Sequence, residues 1–162
     1  MTAWTTWLSM TWLSSHMRDQ SWLWPTCETL HFIGLSLLIG GAGLFDLRLM
    51  GMMRQVSVRA IQGFMPFAIA GFGLNLVTGT AFFIMMPAQY AFSATFYVKL
   101  SFIVVAGLNA LLFQTTLGTR ALAIGPGEDT PLSLKLIGAV SLFSWFAVLY
   151  CGRMLPYLGT GN

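Results

Sequence analysis

Apolar residues run along this chain in four long stretches, separated by short polar breaks. From Pro25 to Leu49 the only charged or titratable interruptions are Cys27, Glu28 and His31 near the start and Asp46 and Arg48 near the end. At 1.5 Å of rise per residue, such a helix is about 36 Å long and crosses the roughly 30 Å hydrocarbon core of a bilayer. Pro25 suits its first helical position, where a missing N–H costs nothing. Residues 50–62 mix Arg54 and Arg59 with Met and Val, a basic connection. A second span is predicted over about 64–86, ending before Pro87. A third covers about 94–117, with Ser93 as its N-cap. After the loop Gly125-Pro126-Gly127-Glu128-Asp129-Thr130-Pro131 a fourth runs over about 131–155, with Thr130 as N-cap and Pro131 as first residue. Residues 156–162 remain as a short tail.

Residues 1–24 follow a different pattern. Trp4, Trp7, Leu8 and Trp12 share one helical face, with Thr5, Thr6 and Ser9 largely opposite. This predicts an N-terminal amphipathic helix lying in the membrane interface, its indoles at headgroup level. The expected fold is therefore all-α: an integral membrane up-down four-helix bundle (25–155) preceded by an interfacial segment. Short loops make successive spans neighbours. Small residues at four-residue spacing, Gly71-Asn75-Gly79 and Ser36-Gly40, predict close helix approach.

Composition agrees with lipid as the solvent. Hydrophobic residues make up 56% and charged residues 8% of the 162, far below the roughly one-quarter charged of a soluble domain. The net charge of +3 is too small and scattered for nucleic acid binding. Two cysteines, Cys27 and Cys151, rule out a zinc site or disulfide framework built from cysteine. Their matched depths leave open both a bridge and two unrelated thiols. The N-terminus has neither the basic n-region nor the clean apolar h-region of a cleavable signal.

Arg48, Arg54, Arg59, Arg120 and Lys135 gather on the side of the 1–2 and 3–4 connections, against Arg18, Lys99 and Arg153 opposite. The positive-inside rule then puts those connections in the cytoplasm and both termini in the periplasm of a bacterial inner membrane.

Candidate chemistry falls at two levels. His31 lies about 9 Å into the first helix. An imidazole in hydrocarbon needs a partner or a purpose. It reads as a packing histidine bonded to a neighbouring helix, an axial ligand to haem iron, or a group for other metal or proton work. Lys99 enters the third helix from the same side, so both belong to one outer-leaflet level. Lys99 either snorkels or binds an anion such as a haem propionate. Glu28, one turn above His31, is placed to hold the imidazole N–H. Nearer the other face, Asn75 and Asn109 read as amides joining helices. Asp46 is expected to pair with a loop arginine, and Arg48 to meet headgroups or that same pair. Met17, Met85, Met86 and Met154 gather near His16, His31 and both cysteines. Such sulfur suits Cu(I), but methionine is common core filler, so haem b is favoured over copper.

His31-Phe32-Ile33-Gly34, Gly40-Gly41 and Asp46-Leu47-Arg48-Leu49-Met50-Gly51, with Gly71-Phe72-Gly73, Gly79, Lys99-Leu100 and Asn109-Ala110, resemble an uncharacterised family of small four-span bacterial membrane proteins. The resemblance covers about residues 22–118 and implies no established activity. A more distant similarity, through His31 and Lys99, is to HemJ-type protoporphyrinogen oxidases and the copper-resistance D membrane proteins. In the HemJ type the corresponding positions are implicated in haem binding, which His31 and Lys99 would share. The chain departs from that pattern at Asp46-Leu47 and at Asn109 and Gln114, departures that count against the oxidase activity and leave b-haem binding open. The favoured reading is a noncatalytic membrane subunit or binding module holding one b-type haem through His31. The alternatives are a haem-linked oxidoreductase acting on quinone or a porphyrinogen, and a cofactor-free accessory subunit. Expected partners are the bilayer and a larger complex or a second copy of the chain.

Overall fold

The computed structural model describes residues 3–158, whose regular elements are all helices, with no strand among them. Two short helices, α1 (Ala3–Ser9) and α2 (Trp12–Asp19), precede α3 (Leu23–Leu49). A small helix α4 (Val58–Gln62) leads into α5 (Met65–Met85), and α6 (Pro87–Ala91) connects to α7 (Ala94–Leu112). The chain continues through a π-helical turn, Phe113–Leu117, into α8 (Gly118–Leu122) and ends in α9 (Leu132–Leu158). Four helical segments are long and apolar enough to cross a membrane: 23–49, 58–85, 94–122 and 132–158.

The boundaries follow local chemistry, with three adjustments to the expected ones. Ser93 caps α7 by accepting from the Phe96 N–H, and Pro87 opens α6 after α5 has ended. Pro25 sits within the first turn of α3 rather than at its start. Backbone N–H groups there have no intrahelical acceptor, so proline is tolerated two residues later than expected. α9 begins at Leu132, one residue later than expected, so Pro131 rather than Thr130 precedes it, and the Thr130 hydroxyl accepts from Arg48 instead. The last helix runs past residue 155 and carries Pro156 within it. Residues 159–162 of the expected tail lie outside the described residues.

Backbone packing sets the four long helices in the order α5–α3–α9–α7. Each packed pair is antiparallel: Gly34 meets Gly71 and Asn75, Gly43 faces Leu142 while Asp46 meets Gly138, and Asn109 bonds to the Ile137 carbonyl. Glycine explains the tight pairs. A Cβ on Gly71 would stand 2.5 Å from the Gly34 carbonyl oxygen, and one on Gly138 2.7 Å from the Asp46 carbonyl oxygen. The expected stripe of Ser36 and Gly40 is not at a helix crossing. Both are exposed, with open space beside Gly40, while Gly34 and Gly41 carry the contact. The consecutive helices α5 and α7 were expected to pack as neighbours but meet through aromatic rings instead. Phe83 stacks on Phe96 at 5.6 Å, with Tyr90 against both. Large rings hold the two backbones apart where glycine would draw them together. Much of the outward surface is apolar, including Ile69, Val77, Val104 and Leu108. Such a surface is at home in hydrocarbon and not in water.

Residues 3–22 hold two helices rather than one, Leu23 and Trp24 belong to α3, and residues 1–2 lie outside the described residues. Thr11 breaks the run and caps α2 by accepting from the Ser14 N–H. Trp4, Trp7 and Trp12 point outward, while Thr5, Ser14 and Met17 are buried toward α5 and α6.

Candidate functional site

The ends of the helix row differ in chemistry: one carries the first and third connections between spans (the loop end), the other the α6 connection and the first and last described residues (the terminal end). At the loop end Arg48 is 0% exposed. Its Nε donates to the Val56 carbonyl at 2.6 Å and its Nη1 to Thr130 Oγ1 at 3.1 Å. Nη2 reaches the Gly125 and Glu128 carbonyls at 3.1 and 3.3 Å. Arg48 thus neither faces headgroups nor pairs with Asp46. An irregular loop leaves carbonyls without helical partners, and the five-donor guanidinium fork can serve several at once. The Gly127 N–H donates to the Arg54 carbonyl and the Val58 N–H to the Ile124 carbonyl, joining the two connections further. Phe45, Leu49, Val58, Ile61, Phe113, Ile124, Leu134 and Ile137 form a buried core beneath them. At the surface Asp129 pairs with Arg54 and Lys135. The hydrogen bond from Lys135 is the main reason its carboxyl sits below the usual aspartate range, with the Thr130 N–H and Arg54 assisting.

The expected bond between Asp46 and a loop arginine is not made. Asp46 is 4% exposed, and its Oδ2 has no partner among the described residues. The two asparagines also separate in role. Asn109 Nδ2 donates to the Ile137 carbonyl at 3.0 Å and joins α7 to α9. Asn75 lies against Gly34, with both amide atoms buried and without a hydrogen-bond partner among the described residues.

At the terminal end the ring of His31 lies between α3 and α5. Its Nδ1 is 2.6 Å from Thr78 Oγ1, and Phe82 meets the ring edge-on with centroids 5.5 Å apart. Thr78 directs its own hydrogen to the Leu74 carbonyl at 2.8 Å. A hydroxyl has one hydrogen: with it on the Leu74 carbonyl, Oγ1 accepts from the His31 Nδ1–H and Nε2 keeps its lone pair, whereas with it on Nδ1 the ring takes the other tautomer. The ring's partner is therefore Thr78 and not Glu28, which is exposed. Glu28 acts electrostatically on Tyr90 of α6, whose phenol is pushed up chiefly by burial and further by Cys27 and Glu28.

Lys99 comes to the same level from α7 and lies within electrostatic reach of His31. Its Nζ sits beside Gly152 of α9, next to buried Cys151. Four helices thus contribute to one level: His31, Thr78, Lys99 and Gly152. Thr78 is the member that sequence reasoning missed. Its signal was depth, because it stands eight residues before Met86, much as His31 stands six after Pro25. Cys27 and Cys151 are both free thiols, and Cys27 Sγ approaches the Thr78 carbonyl at 3.8 Å.

Two cavities lie beside the N-terminal helices. One, of about 350 Å³, is lined by Met17, Arg18, Trp24, Met85 and Met86 among others. The second, of about 300 Å³, shares Arg18, Met85 and Met86. Neither reaches His31, and Met154 lines neither. His16 stacks on Trp12 at 5.0 Å. No family model, curated protein or solved structure matches this chain.

Proposed function

We propose that this protein is a multi-pass subunit or binding module of the bacterial inner membrane, an up-down four-helix bundle under an interfacial N-terminal segment, and that His31 holds one b-type haem. The observation that carries the reading is the Thr78–His31 hydrogen bond. An axial histidine normally gives its second ring N–H to a fixed acceptor, which sets the tautomer and orients the ring. Thr78 occupies that position, and Lys99 supplies a cation at the same level for a propionate that hydrocarbon would not tolerate unpaired. Bound haem supplies one-electron chemistry. The chain's own residues orient the imidazole, offer Nε2 and balance the carboxylate charge.

Wild-type protein, expressed with ample haem and gently purified, should show a Soret band and a reduced-minus-oxidised difference spectrum. His31→Ala should abolish both. Thr78→Val should keep the spectrum and weaken haem retention by about 10–100-fold, the usual loss when a ligand's orienting partner is removed. If the wild type shows no Soret band, the cofactor reading fails and a cofactor-free accessory subunit stands in its place.

The arginine distribution supports a cytoplasmic loop end and periplasmic termini. Single cysteines at Gln62 and Thr119, in a background without Cys27 and Cys151, should resist an impermeant thiol reagent in intact cells. Labelling at both without lysis would reverse the orientation.

A further inference from the structure

Arg18 lies where the N-terminal helices meet the end of α5. Among the described residues it is the one charged side chain lining either of the two cavities there, and it lines both. Its guanidinium is fixed: Nη1 donates to Ser14 Oγ and Nη2 to the Ser9 carbonyl, each at 2.6 Å. Those two bonds leave three of its five N–H donors. No carboxylate takes them among the described residues. Asp19, next in the chain, is exposed and makes no ion pair with it, the ion pairs being those of Asp129 with Arg54 and Lys135.

The rest of the lining divides by polarity. Gln20, Ser21 and Gln89 offer polar groups, while Trp24, Met17, Met85 and Met86 form an apolar wall. Three thioethers in one wall suit Cu(I) by softness, but a fixed guanidinium beside them repels a metal cation and attracts an anion. A planar guanidinium with N–H groups to spare matches the oxygens of a phosphate. A zwitterionic headgroup would bring an ammonium for which neither cavity has a carboxylate. The surrounding surface indicates the source of the anion. The same helices and turns expose Trp7, Met10, Trp12 and Trp22, and such an aromatic surface belongs at headgroup level. We infer that the two cavities form a binding site for an anionic phospholipid of the phosphatidylglycerol class, with its phosphate on Arg18 and its acyl end along Trp24, Met85 and Met86. This inference rests on the interfacial placement of the N-terminal segment and is independent of His31 and its ligand.

Native mass spectrometry of the detergent-solubilised protein tests the site, with phosphatidylglycerol and phosphatidylcholine of identical acyl chains offered in equal amounts. Wild type should retain phosphatidylglycerol over phosphatidylcholine by about fivefold, the scale of one basic side chain at an anionic lipid surface. Arg18→Gln should bring that ratio to about one. A wild-type ratio of one, or a ratio unchanged in Arg18→Gln, overturns the inference. So does displacement of the lipid by excess inorganic phosphate, because the site would then take a free anion. Arg18 also ties α1 to α2, so should Arg18→Gln fail to fold, Gln20→Glu and Gln89→Glu decide. Each sets a negative charge on one cavity with little change of shape: a lowered ratio in either supports the site, and an unchanged ratio in both overturns it. Quenching of Trp fluorescence by headgroup-proximal brominated lipid in nanodiscs, in a Trp24→Phe, Trp145→Phe background, reads the interfacial placement separately. Unquenched indoles would remove that placement and the site with it, whereas quenched indoles without a lipid preference would remove the site alone.

Discussion

At the loop end a single guanidinium draws oxygens from two separate connections and disappears from solvent; at the terminal end an imidazole shares one hydroxyl with α5 while a lysine rests beside a glycine of α9. The difference lies in what each end must satisfy. Loops 50–57 and 123–131 are irregular, so many of their carbonyls have no helical partner. A multi-donor side chain resolves many of them together. At the terminal end the α6 connection is served by Ser93, which caps α7, and by the Tyr97 hydroxyl, which donates to the Ala91 carbonyl, so His31 and Lys99 do not carry that duty. His31 and Lys99 bond to no loop carbonyl among the described residues. One end is a fastening, and the other carries the polar level on which the proposed function rests.

Breaking the fastening should have the largest effect. Arg48→Leu removes the donors for four oxygens at a fully buried position. It should cost about 3–5 kcal/mol, the scale of uncovering a buried hydrogen-bonded charge network. Thermal melting in detergent checks this, and a melt within a degree of wild type would show that lipid or water replaces the arginine. The corresponding change at the terminal end, Thr78→Val, removes one hydrogen bond to His31 and should cost about 1 kcal/mol. Equal losses from the two substitutions would erase the contrast between the ends.

The asparagines sharpen the comparison at the smallest scale. Asn109→Leu loses an interhelical bond and should cost about 0.6 kcal/mol, the average found for such bonds in membrane proteins. Asn75→Leu removes an amide with no partner and should leave stability unchanged or slightly raised. A clear loss from Asn75→Leu would mean that a bound water or ligand satisfies that amide, which would make it part of the polar level below His31.

The spans were legible because apolar runs of membrane length have few other uses, and chain breaks such as Pro87 and Ser93 act through local backbone chemistry. The matched level of His31 and Lys99 was legible for the same reason, since helical rise converts position into depth. Azimuth was not. Sequence gave Ser36 and Gly40 the same spacing as a packing stripe, yet the close contacts use Gly34, Gly41 and Gly71. It placed Arg48 and Asp46 at one depth with opposite charge, yet the arginine turned to two carbonyls and a hydroxyl 77 to 82 residues away. Bonds of that reach depend on which loop folds over which helix end, and no local pattern encodes this. The sequence by itself determined that the chain is helical, suits lipid, and has its polar groups at two depths. The tertiary structure decided the order α5–α3–α9–α7, the pairing of His31 with Thr78, and the isolation of Asp46. Depth along a helix is fixed by counting residues, whereas facing is fixed only when glycines and rings on different helices compete for contact.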